Sequence, residues 1–349
     1  MKRWLSLVLC FVLILALFPN LTACEKKPVL NIFNWGQYIS DGEDGCLDVI
    51  AEFEKKTGIQ VNYSTYESNE AMYAKLKSGG ASYDLVIPSD YMVARMIEED
   101  MLEKLDYSKL SNYSNVDDSF KNMYYDPTNE YTVPYTWGTV GILYNTKYVS
   151  DVTGWDSLWD PAYADKILMF SNSRDAMAIG ASLIHVDPNS QNQADWDAVA
   201  QKLQEQRPLV QEYVMDQIFD KMINEVAWIA PYYAGDYIYM HEENENLAFC
   251  FPEEGYNRFV DCMCIPKGST HQDAALQFMD FILDPDIQFE NLDYIQYSSP
   301  FRSDLIPEEY DSEAAYPDEK TLERSFIFEH LPTETLQYMD SLWASVRIS

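Results

Sequence analysis

IQVNYSTYESNEAMYAKLKSGGASYDLVIPS, residues 59–89, holds the chain's clearest run of alternating secondary structure. Ile59 to Thr65 alternates apolar and polar side chains, as a half-buried strand does. Ser68 then stands where a helix N-cap is wanted, and the helix it predicts runs to about Lys77 before Gly79-Gly80 stops it. Asp84 to Ile87 is a short buried strand closed by Pro88. A strand, a helix and a strand in one short run are the unit of a parallel sheet. Outward from it, Val29 to Asn34 reads as a preceding strand, and residues 47–57 read as an amphipathic helix with Gly58 at its C′ position. Downstream, Lys166 to Phe170, Val226 to Ala230 and Leu247 to Phe251 read as strands. Residues 195–206, 215–223 and 272–283 read as helices, as does Glu334 to Val346, whose apolar stripe packs on a lobe. The expected class is α/β with mostly parallel sheets.

Two apolar runs, Tyr131 to Tyr135 and Val140 to Tyr144, flank Trp137-Gly138 and form a candidate crossover between lobes. Val260 to Ile265 is the candidate return crossover.

Residues 1–23 have the make-up of a secretory leader, with Lys2 and Arg3 ahead of an apolar run from Leu5 to Phe18. That run is short for a membrane span, which needs about 20 apolar residues. Leu21-Thr22-Ala23-Cys24 resembles the lipobox of bacterial lipoproteins, so Cys24 is expected to carry the lipid and become the first mature residue. Each buried CH₂ of an acyl chain contributes about 0.8 kcal/mol, so two chains hold a protein on a membrane. The expected address is the outer face of the cytoplasmic membrane, the periplasmic side where the host has an outer membrane.

The chain has 349 residues, with 57 acids against 24 bases and a net charge of −33. Such a balance argues against a nucleic-acid partner, because phosphate needs a basic face. Cys262 and Cys264 alternate in an apolar run and read as small hydrophobes, while the four histidines are scattered, so no metal site is expected. A Cys250 to Cys262 disulfide is permitted by the compartment but not required. Ser89 lacks the Gly-x-Ser-x-Gly elbow of a hydrolase, and Gly138-Thr139-Val140-Gly141 lacks the lysine of a phosphate loop. Neither a catalytic residue nor a cofactor is expected.

Ligands of open α/β sheets bind at the carboxyl ends of strands. Here those ends carry Trp35 and Tyr38, then Ser89, Asp90 and Tyr91, then Asn172 and Asp175, then Tyr232, Tyr233 and Asp236. Aromatic faces pack methylenes and attract cations, and carboxylates balance positive charge, so the set suits an aliphatic ammonium ligand.

Asn34-Trp35 with Tyr38, Lys56 to Val61, Tyr63 to Glu70, Met72 to Leu76, Tyr83 to Ser89, Pro134-Tyr135 with Trp137-Gly138, and Leu158-Trp159 resemble the spermidine/putrescine-binding proteins of polyamine ABC importers, a bacterial extracellular solute-binding family. The resemblance covers essentially the whole mature chain and implies a type II periplasmic-binding-protein fold, two α/β lobes joined by crossover strands with a ligand cleft between them. It implies a first lobe of residues 29–134 and 265–300 after a tether at 24–28, and a second of residues 135–264 and 301–349. It also implies a polyamine ligand contacted by Trp35, Tyr38, Ser89 and Tyr91 from one lobe, by Asn172, Asp175, Tyr232, Phe259 and Asp261 from the other, and by Tyr297. A family glutamate is Gln37 here and a family aspartate is Asn172, while two tryptophans are replaced by Tyr232 and Phe259. Asp90 and Asp236 are expected to restore the two missing anions.

The function expected is that of a lipid-anchored receptor that captures polyamine and delivers it to an ABC permease and its ATPase subunits. The alternatives are a receptor for another small solute (an amino acid, a sugar or a metal complex) and, with less support, a surface hydrolase.

Overall fold

The computed structural model describes residues 28–79, 82–310 and 312–348. The Cys24 motif lies outside them. Strand β1 (Val29–Trp35) pairs in parallel with β2 (Gln60–Tyr66) on one side and β3 (Leu85–Val86) on the other. Helix α1 (Val49–Thr57) links the first pair and ends, as Gly58 predicts, on a left-handed residue with φ 73°. Helix α2 (Asn69–Lys77) is capped by Ser68, whose side chain accepts the Ala71 N–H at 3.2 Å.

Leu30 and Ile32 of β1 point into one core with Phe53, Phe278 and Met279. Phe33 points into a second core with Val86, Met92 and Met96. The alternation follows from the pleat, which sends successive side chains to opposite faces. Burying one such side chain fully contributes about 1.5–3 kcal/mol, so this small sheet is held by the helices on both faces. These include α3 (Asp90–Glu98) and α8 (Gln272–Ile282).

The second sheet has seven strands in the order β10-β9-β4-β7-β5-β6, with β8 also pairing β4. Its members are β4 (Val133–Asn145), β5 (Ile167–Phe170), β6 (Val210–Val214), β7 (Ile229–Tyr233), β8 (Leu247–Cys250), β9 (Tyr256–Met263) and β10 (Ser325–Phe326). It is mixed, not mostly parallel as expected. β5 is parallel to β6 and β7, whereas β4 runs antiparallel to β7, β8 and β9. Helices α4 (Ser173–Leu183), α5 (Gln193–Gln206), α6 (Ile218–Ile223), α7 (Ala234–Glu243) and the terminal α11 (Thr333–Ile348) surround it. Helices α9 (Pro285–Ile295) and α10 (Glu319–Leu322) complete the set.

Both expected crossovers are strands of this sheet. β4 is one continuous strand whose Val133 and Tyr135 lie in the first lobe's core and whose Val140 to Leu143 lie in the second's. β9 returns beside it, with Phe259 in the second core and Met263 in the first. Beyond β9, Cys264 exchanges backbone hydrogen bonds with Val86 of β3, tying the return to the first sheet.

Two expectations are corrected. Val226, expected to open a strand, is 45% exposed in the turn after α6, and the strand starts at Ile229. Residues 301–310, expected with the second lobe, instead pack on the first: Phe301 meets Phe289 edge-on and Tyr310 lies tilted against the same ring. Cys250, Cys262 and Cys264 are thiols, the last two fully buried, as apolar filling requires.

Candidate functional site

A cleft of about 960 Å³, counting its opening to solvent, lies between the lobes where the strand ends converge. From the first lobe come Trp35, at the end of β1, and Tyr38 just beyond it, with Ser89 and Tyr91 at the start of α3. Asn172 and Asp175, at the start of α4, come from the second, as do Tyr232 at the end of β7 and Asp236 in the first turn of α7. Phe259 and Asp261 stand on β9, and Tyr297 follows α9.

Asp261 is the most constrained of these groups. Ser89 Oγ donates to one carboxylate oxygen at 2.6 Å and Tyr38 OH to the other at 2.7 Å. Tyr38 shares a second, short hydrogen bond with Thr136. Burial pushes the Asp261 carboxyl up to about 6, against the lowering effect of the two hydroxyls. Both donors are neutral, so the charge of an ionised Asp261 is left for something else to balance.

Asp175 repeats the pattern. Its carboxylate accepts from Tyr233 OH at 2.8 Å and from Asn172 Nδ2 at 2.9 Å, while Asn172 Oδ1 caps the helix through the Asp175 N–H. Asp236 accepts from Tyr297 OH at 3.0 Å, and burial pushes it up to about 7. Glu70, in the first turn of α2, accepts from Tyr91 OH at 2.9 Å. Burial raises Glu70 and Asp175 as well. Among the described residues, no lysine or arginine makes an ion pair with Glu70, Asp175, Asp236 or Asp261. Buried carboxylates without a counter-ion are costly, and a cation entering the cleft reverses that cost.

The walls between these acids are aromatic. Tyr232 stacks on Phe170 with centroids 5.6 Å apart, and Phe259 meets Tyr233 edge-on at 5.6 Å and lies tilted against Tyr297 at 6.3 Å. Two glycines make room for them. A Cβ on Gly235 would stand 2.6 Å from the Tyr297 ring, and one on Gly138 would stand 2.8 Å from Phe259. At the rim the lobes nearly touch, since a Cβ on Gly36 would lie 3.3 Å from Asp216 of the opposite side.

Asp90 departs from the expectation. It is 1% exposed and does not border the cleft. Its carboxylate instead accepts the Tyr91 N–H at 2.7 Å and the Val260 N–H at 3.3 Å, and burial pushes it up to about 8. Two backbone N–H groups, one on its own helix and one on β9, hold the Asp90 carboxylate inside the first lobe's contact with β9, whereas Tyr91 in the same turn faces the cleft. Sequence reasoning missed Glu70, Arg174 and Asp216, all of which line the cleft. Glu70 and Arg174 sit in first turns, where a polar residue looks like ordinary capping; Asp216 had no signal beyond its place just after β6.

Among known proteins, the family model described as "Bacterial extracellular solute-binding protein" matches residues 48–318. The spermidine/putrescine-binding periplasmic protein of Salmonella typhimurium is 32% identical over 330 residues, 93% of each chain. The putrescine-binding periplasmic protein SpuD of Pseudomonas aeruginosa is 29% identical over 99% of each. Of solved structures, the spermidine/putrescine ABC transporter substrate-binding protein PotD of Streptococcus pneumoniae superposes with a TM-score of 0.77 at 35% identity, over 92% of this chain and 99% of that one. The TpPotD lipoprotein of Treponema pallidum superposes with a TM-score of 0.81 at 28% identity, over 92% and 100%.

Proposed function

This chain belongs to the bacterial extracellular solute-binding protein family, and we propose that within it the protein is a polyamine receptor of an ABC importer, without a catalytic step of its own. The observation that carries the reading is the set of cleft carboxylates, buried Asp261 with half-buried Asp175 and Asp236, served by neutral donors and lined by aromatic walls. Alkylammonium groups, with pKa near the lysine value of about 10.4, are charged at neutral pH, so each carboxylate can take one. Trp35, Tyr232, Phe259 and Tyr297 pack the methylenes between them, and Tyr38, Ser89 and Asn172 keep the acids aimed. Tyr91 performs the same service for Glu70.

Closure follows from the same chemistry. The open form leaves the acids hydrated, the closed form buries them, and a cation favours the closed form by that difference. The lobe division that fits is 29–134 with 265–310, against 135–264 with the C-terminal helix. The closed form is the one that a permease with its ATPase subunits recognises.

Isothermal titration with putrescine, spermidine, spermine, a sugar and an amino acid tests the reading. Micromolar or tighter binding of a polyamine, about −8 kcal/mol, is expected; heat from the sugar or amino acid with none from any polyamine would refute it. A lipid anchor at Cys24 belongs to the same proposal. Its support is the Leu21 to Cys24 motif and the Treponema relative described as a lipoprotein. Cys24→Ala should release the protein from the membrane and impair uptake while leaving polyamine affinity intact.

A further inference from the structure

Arg174 lines the cleft at the end that holds Glu70 and Asp175, yet it pairs with neither. It is 4% exposed. Its Nη1 donates to the Pro188 carbonyl at 3.0 Å, and its Nη2 donates to Asn189 Oδ1 at 2.8 Å and to the Glu329 carbonyl at 3.3 Å. Its guanidinium lies 4.2 Å from the Phe328 ring centroid and 6.0 Å from that of Tyr91. Every one of these partners is neutral, and Nε has no hydrogen-bond partner among the described residues. A buried guanidinium ordinarily collapses onto the nearest carboxylate, because an unpaired buried charge is costly. Here carbonyls and rings hold it away.

We propose that Arg174 sets the charge of this end of the cleft: it keeps Glu70 and Asp175 both ionised while pairing with neither, so that the end carries one net negative charge and takes one primary ammonium. This rests on the polyamine reading. Two carboxylates sharing a buried site without a cation hold a proton between them, and an incoming ammonium has to expel it. With a fixed cation beside them the proton is already gone. The same cation repels a second ammonium, so the polyamine ends here and extends toward Asp261 and Asp236.

The charged and titratable groups around Arg174 come from several elements. They are Glu70 of α2, Asp90 and Tyr91 of α3, Tyr124 of the loop before β4, Asp175 of its own helix, and His330 of the segment before α11. Of the carboxylates, only Glu70 and Asp175 border the ligand space.

The test is calorimetric titration of the mature chain with spermidine, in buffers of different ionisation enthalpy at neutral pH. Arg174→Gln should release about one proton more per ligand than the native protein, and Arg174→Lys should restore the native count. An identical count in Arg174→Gln and the native protein overturns the proposal. Should Arg174→Gln fail to fold, Glu70→Gln carries the test. It leaves one acid against one base and should weaken spermidine about 10-fold, whereas unchanged affinity overturns the proposal. If the native protein binds no polyamine, the underlying reading fails instead, which is a different result from equal proton counts.

Discussion

Asp261 concentrates the recognition problem in one side chain. Its hydroxyl donors fix both oxygens without cancelling the charge, so Asp261→Asn keeps the shape and removes the attraction. Hydrogen bonds to charged groups contribute roughly 1.5–3 kcal/mol, so spermidine affinity measured by titration calorimetry should fall about 10- to 100-fold. Affinity should also depend on pH in a defined direction. On the polyamine reading the ligand binds the ionised acids, and burial pushes Asp261 up to about 6 and Asp236 up to about 7. Affinity should therefore rise through that window and level off above it, by about 10-fold or more in total. Asp90→Asn should leave affinity within about 2-fold, because Asp90 is turned away from the ligand and the deleted charge is not one the amine contacts. The rule that ligands sit at strand ends picked out, from sequence alone, Trp35, Ser89, Asp175 and Asp236, all of which line the cleft. It could not separate Asp90 from Ser89 beside it, since which way a first-turn side chain points depends on a helix, Asp90–Glu98, that the sequence reading had not placed.

Among the elements, the legible ones carried their own punctuation. α1 and α2 were readable because Gly58 and Ser68 mark their ends, and β1 because its alternation fills two cores. β4 looked like two apolar runs because Trp137-Gly138 interrupts its middle, and only the packed structure gives a reason for the glycine: the Phe259 ring occupies the space a side chain would take. The mixed second sheet was not legible, since strand direction is a property of pairing and not of composition. Gly235 gives the element-scale prediction. In Gly235→Ala the new methyl would stand 2.6 Å from the Tyr297 ring, and Tyr297 is the donor to Asp236. Overpacking of this kind costs about 1–3 kcal/mol, and here it falls on the ligand wall. Spermidine affinity should drop about 10-fold, as competition binding would show, and the melting temperature of the empty protein should fall by a few degrees, in keeping with that cost.

Across the whole molecule, the raised carboxylates link folding to ligand. A carboxyl whose folded value lies above its ordinary value near 3.8 stabilises the empty protein at low pH and loses that contribution as pH rises through the folded value, about 6 for Asp261 and about 7 for Asp236. Ligand restores what ionisation removes. The rise in melting temperature caused by a fixed concentration of spermidine should thus grow from about pH 5 to about pH 8, as scanning fluorimetry would show. A constant rise across that range would place the ligand elsewhere.

Asp261 also stands on β9, the strand that returns between the lobes, and a backbone bridge joins it to Ser89. A group so near the pivot has almost no lever arm. An amine pulling on Asp261 exerts little torque, whereas one pulling on Asp175 or Asp236 acts at a distance from the axis and swings a lobe. Grip and motion are therefore carried by different carboxylates. Asp261→Asn, saturated with spermidine, should reach the native radius of gyration in small-angle scattering, and Asp175→Asn should stop short of it.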